Sequence, residues 1–215
     1  MGSHSPATLR QRLRHLVATG LYERRLGVRT EGDLELAELG LDHPDRNGYQ
    51  PVEWRALRRV LGPKDVTAQD VFVDFGAGMG RAVILAARLP IERAEGVELS
   101  EELVRLARAN VERTRGRRRC RDVRIVHADA LTYDLPDDVT IAFFNNPFTG
   151  DVFAGVLERL IASHDRRPRR LRLIYRTPTE HEMIVGTGRF RLVRQDNNDG
   201  ESSRINVYEA LLPAR

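Results

Sequence analysis

Short unbroken runs of apolar residues alternate along the chain with longer stretches in which apolar positions recur at helical spacing. The unbroken runs predict strands buried on both faces, and the periodic stretches predict helices. Strands are predicted over residues 71–74, 94–98, 123–127, 140–145, 171–175, 190–194 and 204–212. Helices are predicted over residues 7–19, 51–61, 80–88, 100–114 and 151–163. Strands alternating with helices indicate an α/β fold with a doubly wound, mostly parallel, seven-stranded sheet, in which the last two strands form an antiparallel pair.

The chain of 215 residues is long enough for one domain with its own hydrophobic core. We expect residues 1–62 to form a helical N-terminal segment that acts as a lid, and residues 63–215 to form the core domain. Ser100 is a predicted N-cap, with Glu101 and Glu102 in the first turn of the following helix. In a doubly wound sheet the ligand lies at the carboxyl ends of the strands, so the functional residues are expected there.

The first predicted strand ends on Asp74, and three glycines follow it before the next helix begins. Glycine permits a tight turn and lets a ligand approach the backbone closely. The G-x-G-x-G spacing is tighter than the G-x-G-x-x-G fingerprint of dinucleotide sites. A carboxylate directly before the glycines would repel a phosphate and attract a cation. The turn therefore favours a cationic ligand, the other interpretation being a tight turn without one.

Four segments stand in a fixed order, each at the end of a predicted strand: Asp74 to Gly80, Gly96 to Ser100, His127 to Ala130, and Phe143 to Phe148. Their order and residue types resemble those of class I S-adenosylmethionine-dependent methyltransferases. The resemblance implies a Rossmann-like methyltransferase fold, S-adenosylmethionine as the cofactor and S-adenosylhomocysteine as its product.

The resemblance also assigns the cofactor site residue by residue. Asp74 would balance the ammonium group, and Glu98, 22 residues beyond Gly76, would accept hydrogen bonds from the ribose hydroxyls. Asp129 would accept from the adenine amino group. The predicted cofactor-binding set is Asp74, Gly76, Ala77, Gly78, Gly80, Glu98, Leu99, Asp129, Ala130 and Asn145. A helix-capping role for Glu98 and a turn role for Asp129 are the alternatives.

The segment Asn145-Asn146-Pro147-Phe148 departs from the N-P-P-Y form of many amine-directed methyltransferases. It is nearer to the corresponding segment of the non-SET histone-lysine methyltransferases, and to an N-P-F segment of small bacterial enzymes. Asn145 and Asn146 would hold the acceptor N–H, and Phe148 would form an aromatic wall. An asparagine cannot take up a proton, so this segment positions the acceptor. A structural turn is the alternative.

Three further side chains are candidates for positions near the acceptor. Tyr49 precedes the first core strand, where it would form part of the lid, as Trp54 would unless it belongs to the core. His181 follows the fifth strand and has a suitable intrinsic pKa for a general base. Most isolated histidines have no catalytic role.

The formal net charge is +4, and two arginine clusters lie over residues 115–121 and 166–172. Neither cluster has interleaved aromatic residues for base stacking, so we interpret both as a solvated edge of the sheet and expect no nucleic-acid partner. Cys120 is the only cysteine, which fits a cytoplasmic location. We expect no metal site and no membrane partner, and the oligomeric state stays open.

These observations predict a small bacterial methyltransferase that transfers a methyl group to a nitrogen, or an aromatic carbon, of a small-molecule acceptor. An amine, an indole or a peptide-derived ring from natural-product biosynthesis would suit the site. A protein-lysine or nucleic-acid N-methyltransferase is the first alternative. A binding module without catalysis, or an oxidoreductase, is the second.

Overall fold

The computed structural model describes residues 20–32, 43–197 and 204–212. The strands are β1 (Val71–Phe75), β2 (Arg93–Glu98), β3 (Asp122–His127), β4 (Ile141–Phe144), β5 (Arg172–Arg176), β6 (Phe190–Asp196) and β7 (Ile205–Ala210). The helices are α1 (Ala56–Val60), α2 (Arg81–Ala86), α3 (Glu101–Arg113), α4 (Gly150–Arg166) and α5 (His181–Gly186). Residues 20–26 are also helical. The helix predicted over residues 7–19 lies outside the described residues.

The strands form one seven-stranded sheet in the order β3-β2-β1-β4-β5-β7-β6. Strands β1 to β5 pair in parallel, and β7 pairs antiparallel with both β5 and β6. The predicted fold class is confirmed. The strand order reverses direction at β1, and the carboxyl ends of β1, β2 and β4 therefore border a crevice that is suited to a ligand.

The sheet is covered on both faces, which explains why its central strands are apolar throughout. All five residues of β1 and all four of β4 are buried. Phe72 packs into the cluster that contains α1 and α2, whereas Val73 packs into the cluster that contains α4. This alternation follows from the two-residue period of a strand and anchors both strand ends rigidly.

Local signals located some elements better than others. Ser100 caps α3 as predicted, because its Oγ accepts a hydrogen bond from the Leu103 N–H at 3.3 Å. The helix predicted over residues 51–61 is reduced to α1, because residues 51–55 are not helical and the Val52 carbonyl accepts a hydrogen bond from the distant Arg81. Helix α5 was not predicted, since Ile184 is its only fully buried residue and gives no periodic signal.

The two arginine clusters immediately precede β3 and β5, at the edge of the sheet opposite the crevice. Arg121 and Arg170 are largely exposed, as expected of a solvated edge. The interpretation is wrong for Arg172, which is buried and donates to the Asp65 carbonyl at 2.7 Å. None of the helices in the described residues has the length and apolar character needed to cross a membrane.

Candidate active site

An open cleft of about 650 Å³ lies at the carboxyl ends of β1, β2 and β4. The predicted site residues that line it are Tyr49, Gly76, Gly78, Glu98, Leu99, Asp129, Ala130, Asn145 and Phe148. A neighbouring recess of about 250 Å³ adds Asp74 and Ala77 and shares Tyr49, Gly76 and Asn145 with the cleft. Gly80, Asn146 and His181 line neither space.

The glycine turn has a backbone conformation that side chains other than glycine rarely adopt. Gly76, Gly78 and Gly80 have φ values of +77°, +54° and +84°. A Cβ on Gly78 would lie 2.2 Å from the ring of Tyr49, and one on Gly76 would lie 2.4 Å from Pro147. The turn is thus shaped by a tyrosine packed directly over it, which agrees with a lid role for Tyr49. Gly80 starts α2 instead and lets it approach Ala107 of α3.

Glu98 links the glycine turn to the end of β2. It is 8% exposed, and its two carboxylate oxygens accept the N–H groups of Gly78 and Ser100, both at 2.8 Å. Burial raises the pKa of this carboxyl, although the backbone donors oppose the shift. Each oxygen keeps a second lone pair, so Glu98 can fix the turn and still accept from ribose hydroxyls.

The carboxyl group of Asp74 lies in an environment that disfavours its ionised form. It is 2% exposed, and its Oδ1 atom is buried without a hydrogen-bond partner. Burial raises its pKa well above the usual range, and the neighbouring Glu98 raises it further. A buried, unpaired carboxylate is costly unless a cation compensates it. The ammonium group of S-adenosylmethionine meets that need, so the residues present fit this cofactor.

The pH dependence of Asp74 gives a first prediction. Because the raised pKa lies above the unfolded value, the unfolded chain ionises first, and the free protein loses stability as pH rises between the two values. Asp74→Asn should therefore stabilise the free protein at neutral pH and weaken cofactor binding. Wild-type affinity should increase as pH rises through the raised pKa, and the variant should lose that dependence.

Denaturant unfolding and calorimetry across pH measure both effects, with the exposed Asp134→Asn as a matched control. Equal cofactor affinity of Asp74→Asn and wild type at every pH would remove Asp74 from the site.

Asp129 is shared between two partners at the adenine end of the cleft. Its Oδ1 accepts from the Leu131 N–H at 3.0 Å, and its Oδ2 pairs with Arg46 at 2.6 Å. Arg46 also forms an isolated antiparallel bridge with Phe148. No local motif pointed to Arg46, because its partners are distant along the chain. An adenine amino group would share Asp129 with this guanidinium.

The segment after β4 holds its two asparagines in different directions. The Asn145 side chain donates to the Gln50 carbonyl at 2.7 Å and accepts from Arg176 at 3.1 Å. Asn146 has a φ of +51° and accepts from Thr179 at 3.1 Å, away from the cleft. Asn145 thus faces the cleft, whereas Asn146 braces the loop.

Phe148 lines the cleft but is only 5% exposed. Its ring packs against Phe144 and Phe153, with centroid distances of 5.9 and 6.2 Å. It therefore forms a fixed part of the wall rather than a free stacking platform.

Two acids from elsewhere in the chain cap α4, just beyond this segment. Thr149 makes no side-chain cap; Glu180 accepts from the Gly150 N–H and Asp45 from the Asp151 N–H, both at 3.2 Å. Together with the exposed Asp151, these carboxylates give the rim beside Phe148 a negative charge.

Arg81, the residue after the last glycine, was missed by sequence reasoning. Its side chain is 2% exposed and donates to Thr30 at 2.7 Å, to the Val52 carbonyl at 3.0 Å and to Glu31 at 2.7 Å. Tyr49 in turn donates to the Thr30 carbonyl at 2.6 Å. The sequence did contain a signal for this residue, because Arg81 is a charged residue at the start of an otherwise apolar helix. Through Thr30, Arg81 is therefore linked to Tyr49, which packs over the glycine turn.

Trp54 belongs to the core. It stacks on Tyr22 with a centroid distance of 5.7 Å and lies 4.8 Å from the Arg81 guanidinium. His181 bonds to the Tyr208 hydroxyl at 2.8 Å, and the structure does not bring it to the cleft. Within the described residues, no group of three or more histidine, cysteine or acidic side chains could hold a metal ion.

Comparisons with known proteins agree with this geometry. The family model for the histone methylation protein DOT1 matches residues 46–130, which contain Tyr49, the glycine turn, Glu98 and Asp129. A protein-lysine N-methyltransferase from Saccharolobus islandicus is 38% identical over 66 residues, which are 30% of this chain and 41% of the relative. The chain therefore matches less than half the length of that relative.

Solved structures share the fold at low identity. An RNA methyltransferase from Salinibacter ruber, in complex with S-adenosyl-L-homocysteine, is 18% identical with a TM-score of 0.52, covering 77% of this chain and 97% of that one. The chain has the fold of class I S-adenosylmethionine-dependent methyltransferases. Precorrin 8w decarboxylase from Methanobacterium thermoautotrophicum is 19% identical to this chain with a TM-score of 0.54, covering 79% of this chain and 96% of the other.

Proposed function

We propose that this methyltransferase modifies the side-chain nitrogen of a protein lysine. Both sequence matches support this acceptor, because one family model describes histone methylation and the curated relative is a protein-lysine N-methyltransferase. The structural neighbours include RNA methyltransferases, but at identities that carry information on the fold alone. The acceptor must therefore be argued from the cleft itself.

The observation that carries the proposal is the distribution of charge around the cleft. Asp45, Asp151 and Glu180 surround the first turn of α4, next to Phe148 on the cleft wall. A rim of carboxylates attracts a basic peptide and repels the phosphates of a nucleic acid.

The cations near this rim do not reverse its sign. Arg46 is paired with Asp129, and Arg176 is paired with Glu53. The two exposed arginine clusters lie at the opposite edge of the sheet, where they cannot guide RNA into the cleft.

S-adenosylmethionine, held by Asp74 and Glu98, would supply an activated methyl group, and its transfer to the neutral lysine nitrogen would leave S-adenosylhomocysteine and a methylated ammonium group. A free lysine side chain has a pKa of about 10.4, so its ammonium group must lose a proton before the nitrogen can accept the methyl group. Asn145 Oδ1 can accept a hydrogen bond from the amine N–H and aim its lone pair. Such alignment supplies a large share of the rate acceleration in favourable cases, about 7–11 kcal/mol.

A small-molecule acceptor was expected from the sequence alone. The sequence matches support the protein-lysine alternative better. A metabolite pathway, a bacterial source and a cytoplasmic location stay predictions.

A direct test incubates the methyltransferase with four kinds of candidate substrate. These are lysine-rich proteins, the same proteins in which every lysine is replaced by arginine, RNA, and small amines. Mass spectrometry should find methyl groups on lysine side chains, and none when lysine is absent. Methylation of RNA or of free amines alone would contradict the proposal.

The acidic rim gives a second prediction, on substrate affinity. Asp151 is exposed and its side chain makes no bond to α4, so Asp151→Lys should leave the fold intact while reversing one charge of the rim. The KM for a lysine peptide should rise several-fold, and the KM for the cofactor should stay unchanged.

Glu112→Lys, on the exposed side of α3 away from the cleft, is the matched control and should change neither value. Equal peptide KM values for Asp151→Lys and Glu112→Lys would show that the rim does not attract the acceptor.

A further inference from the structure

We infer that Arg176 is a positioning residue that fixes the orientation of the Asn145 amide for methyl transfer. The inference rests on the proposed role of Asn145 in holding the acceptor nitrogen. Arg176 is the last residue of β5, and no sequence motif pointed to it.

The sheet register places the two side chains together. Strands β4 and β5 pair in parallel, with Phe144 opposite Tyr175, so Asn145 and Arg176 are the next residues along the two strands. One terminal nitrogen of Arg176 donates to Asn145 Oδ1 at 3.1 Å, and the other donates to Glu53 at 3.0 Å. The arginine side chain is 15% exposed, so Glu53 holds the guanidinium in a largely buried position.

The contacts of Asn145 are compatible with only one amide orientation. Its Nδ2 donates to the Gln50 carbonyl at 2.7 Å while its Oδ1 accepts from Arg176. A flipped amide would place its NH₂ against the guanidinium and its oxygen against a carbonyl, which would leave all four groups without a complementary partner. Arg176 therefore commits the oxygen of Asn145 to the acceptor side, where a second lone pair is available.

The backbone beyond both residues is strained in the same way. Asn146 and Thr177, which follow Asn145 and Arg176, have φ values of +51° and +52°. The left-handed conformation is costly for a β-branched residue, and such outliers concentrate at functional sites. The Thr177 N–H donates to the Arg204 carbonyl at 2.8 Å, which helps to hold the turn. Both strands thus leave the sheet immediately after the asparagine–arginine pair.

The kinetic test compares Arg176→Ala, Arg176→Lys and Asn145→Ala. Arg176→Ala should lower kcat on the order of tenfold, with the cofactor affinity and the peptide KM unchanged, because an unfixed amide is aligned less often. Arg176→Lys keeps the charge and one donor and should retain more activity. The double variant should be no slower than Asn145→Ala alone, since both changes remove the same alignment.

Chemical rescue separates positioning from general structural damage. Millimolar guanidinium should restore part of the turnover of Arg176→Ala and none of that of Asn145→Ala. The control is Arg170→Ala, which removes an exposed arginine paired with Glu209 and should leave kcat unchanged. Wild-type kcat in Arg176→Ala, or losses that add fully in the double variant, would overturn the inference.

A second readout does not need an acceptor. The side-chain amide signals of Asn145, assigned in NMR spectra by their absence from Asn145→Asp, should shift and exchange faster with water in Arg176→Ala. Unchanged signals would overturn the inference even if lysine methylation is observed. Changed signals would support it even if the methyltransferase modifies a different acceptor.

Discussion

Asn145→Ala is expected to turn over on the order of tenfold to a thousandfold more slowly than the wild-type protein, while its affinity for S-adenosylmethionine stays nearly the same. A hydrogen bond that aligns the acceptor counts in the transition state and not in the ground-state binding of the cofactor. The upper limit follows from the roughly 4 kcal/mol that one such group supplies at most. Single-turnover rates and calorimetry separate the two quantities.

Asn145→Asp is the sharper probe at the same position. It keeps the shape and the oxygen that already accepts from the Arg176 guanidinium, and it adds a negative charge near the sulfonium. Cofactor affinity should rise or stay unchanged while turnover falls. Asn197→Ala, at an exposed position after the edge strand β6, is the control. If Asn145→Ala reacts at the wild-type rate, the segment is a structural turn.

Arg81→Met is expected to lower the free energy of unfolding by about 1–3 kcal/mol, the scale for leaving buried hydrogen-bonding groups unpaired. The methionine matches much of the volume but removes the guanidinium that donates to Thr30, to the Val52 carbonyl and to Glu31. These partners belong to the segments that hold Tyr49 over the glycine turn. Cofactor affinity should therefore fall together with stability, as denaturant unfolding and calorimetry would show.

Arg121→Met is the matched control for this variant. Arg121 is 75% exposed and lies 3.5 Å from Glu92, and an exposed pair of this kind contributes about 1 kcal/mol or less. If Arg81→Met and Arg121→Met have similar free energies of unfolding, the network around Arg81 does not hold Tyr49 over the glycine turn.

The parts of the site that the sequence predicted are those with a local signal. The glycine turn, Asp74 and Glu98 could be located because a buried strand must be apolar and because its end is the first place where polar residues fit. The Ser100 cap was also predictable, because helix capping involves only neighbours in the chain.

The parts that could not be predicted depend on contacts between distant residues. Arg81 and Arg176 reach partners that lie 50 and 31 positions away along the chain, so no spacing announces them. The helix expected over residues 51–61 is shortened because the Val52 carbonyl and the Glu53 carboxylate accept hydrogen bonds from Arg81 and Arg176. His181 satisfied the criterion of intrinsic pKa but pairs with Tyr208, outside the cleft.

Titration of the purified protein with S-adenosylhomocysteine and with NAD tests the central claim most directly. We expect binding of S-adenosylhomocysteine, none of NAD, and a loss of about 1–3 kcal/mol of that binding in a folded Glu98→Ala variant, the scale for an unpaired buried polar group. Binding of NAD without binding of S-adenosylhomocysteine would contradict the account, as would an unchanged affinity in Glu98→Ala.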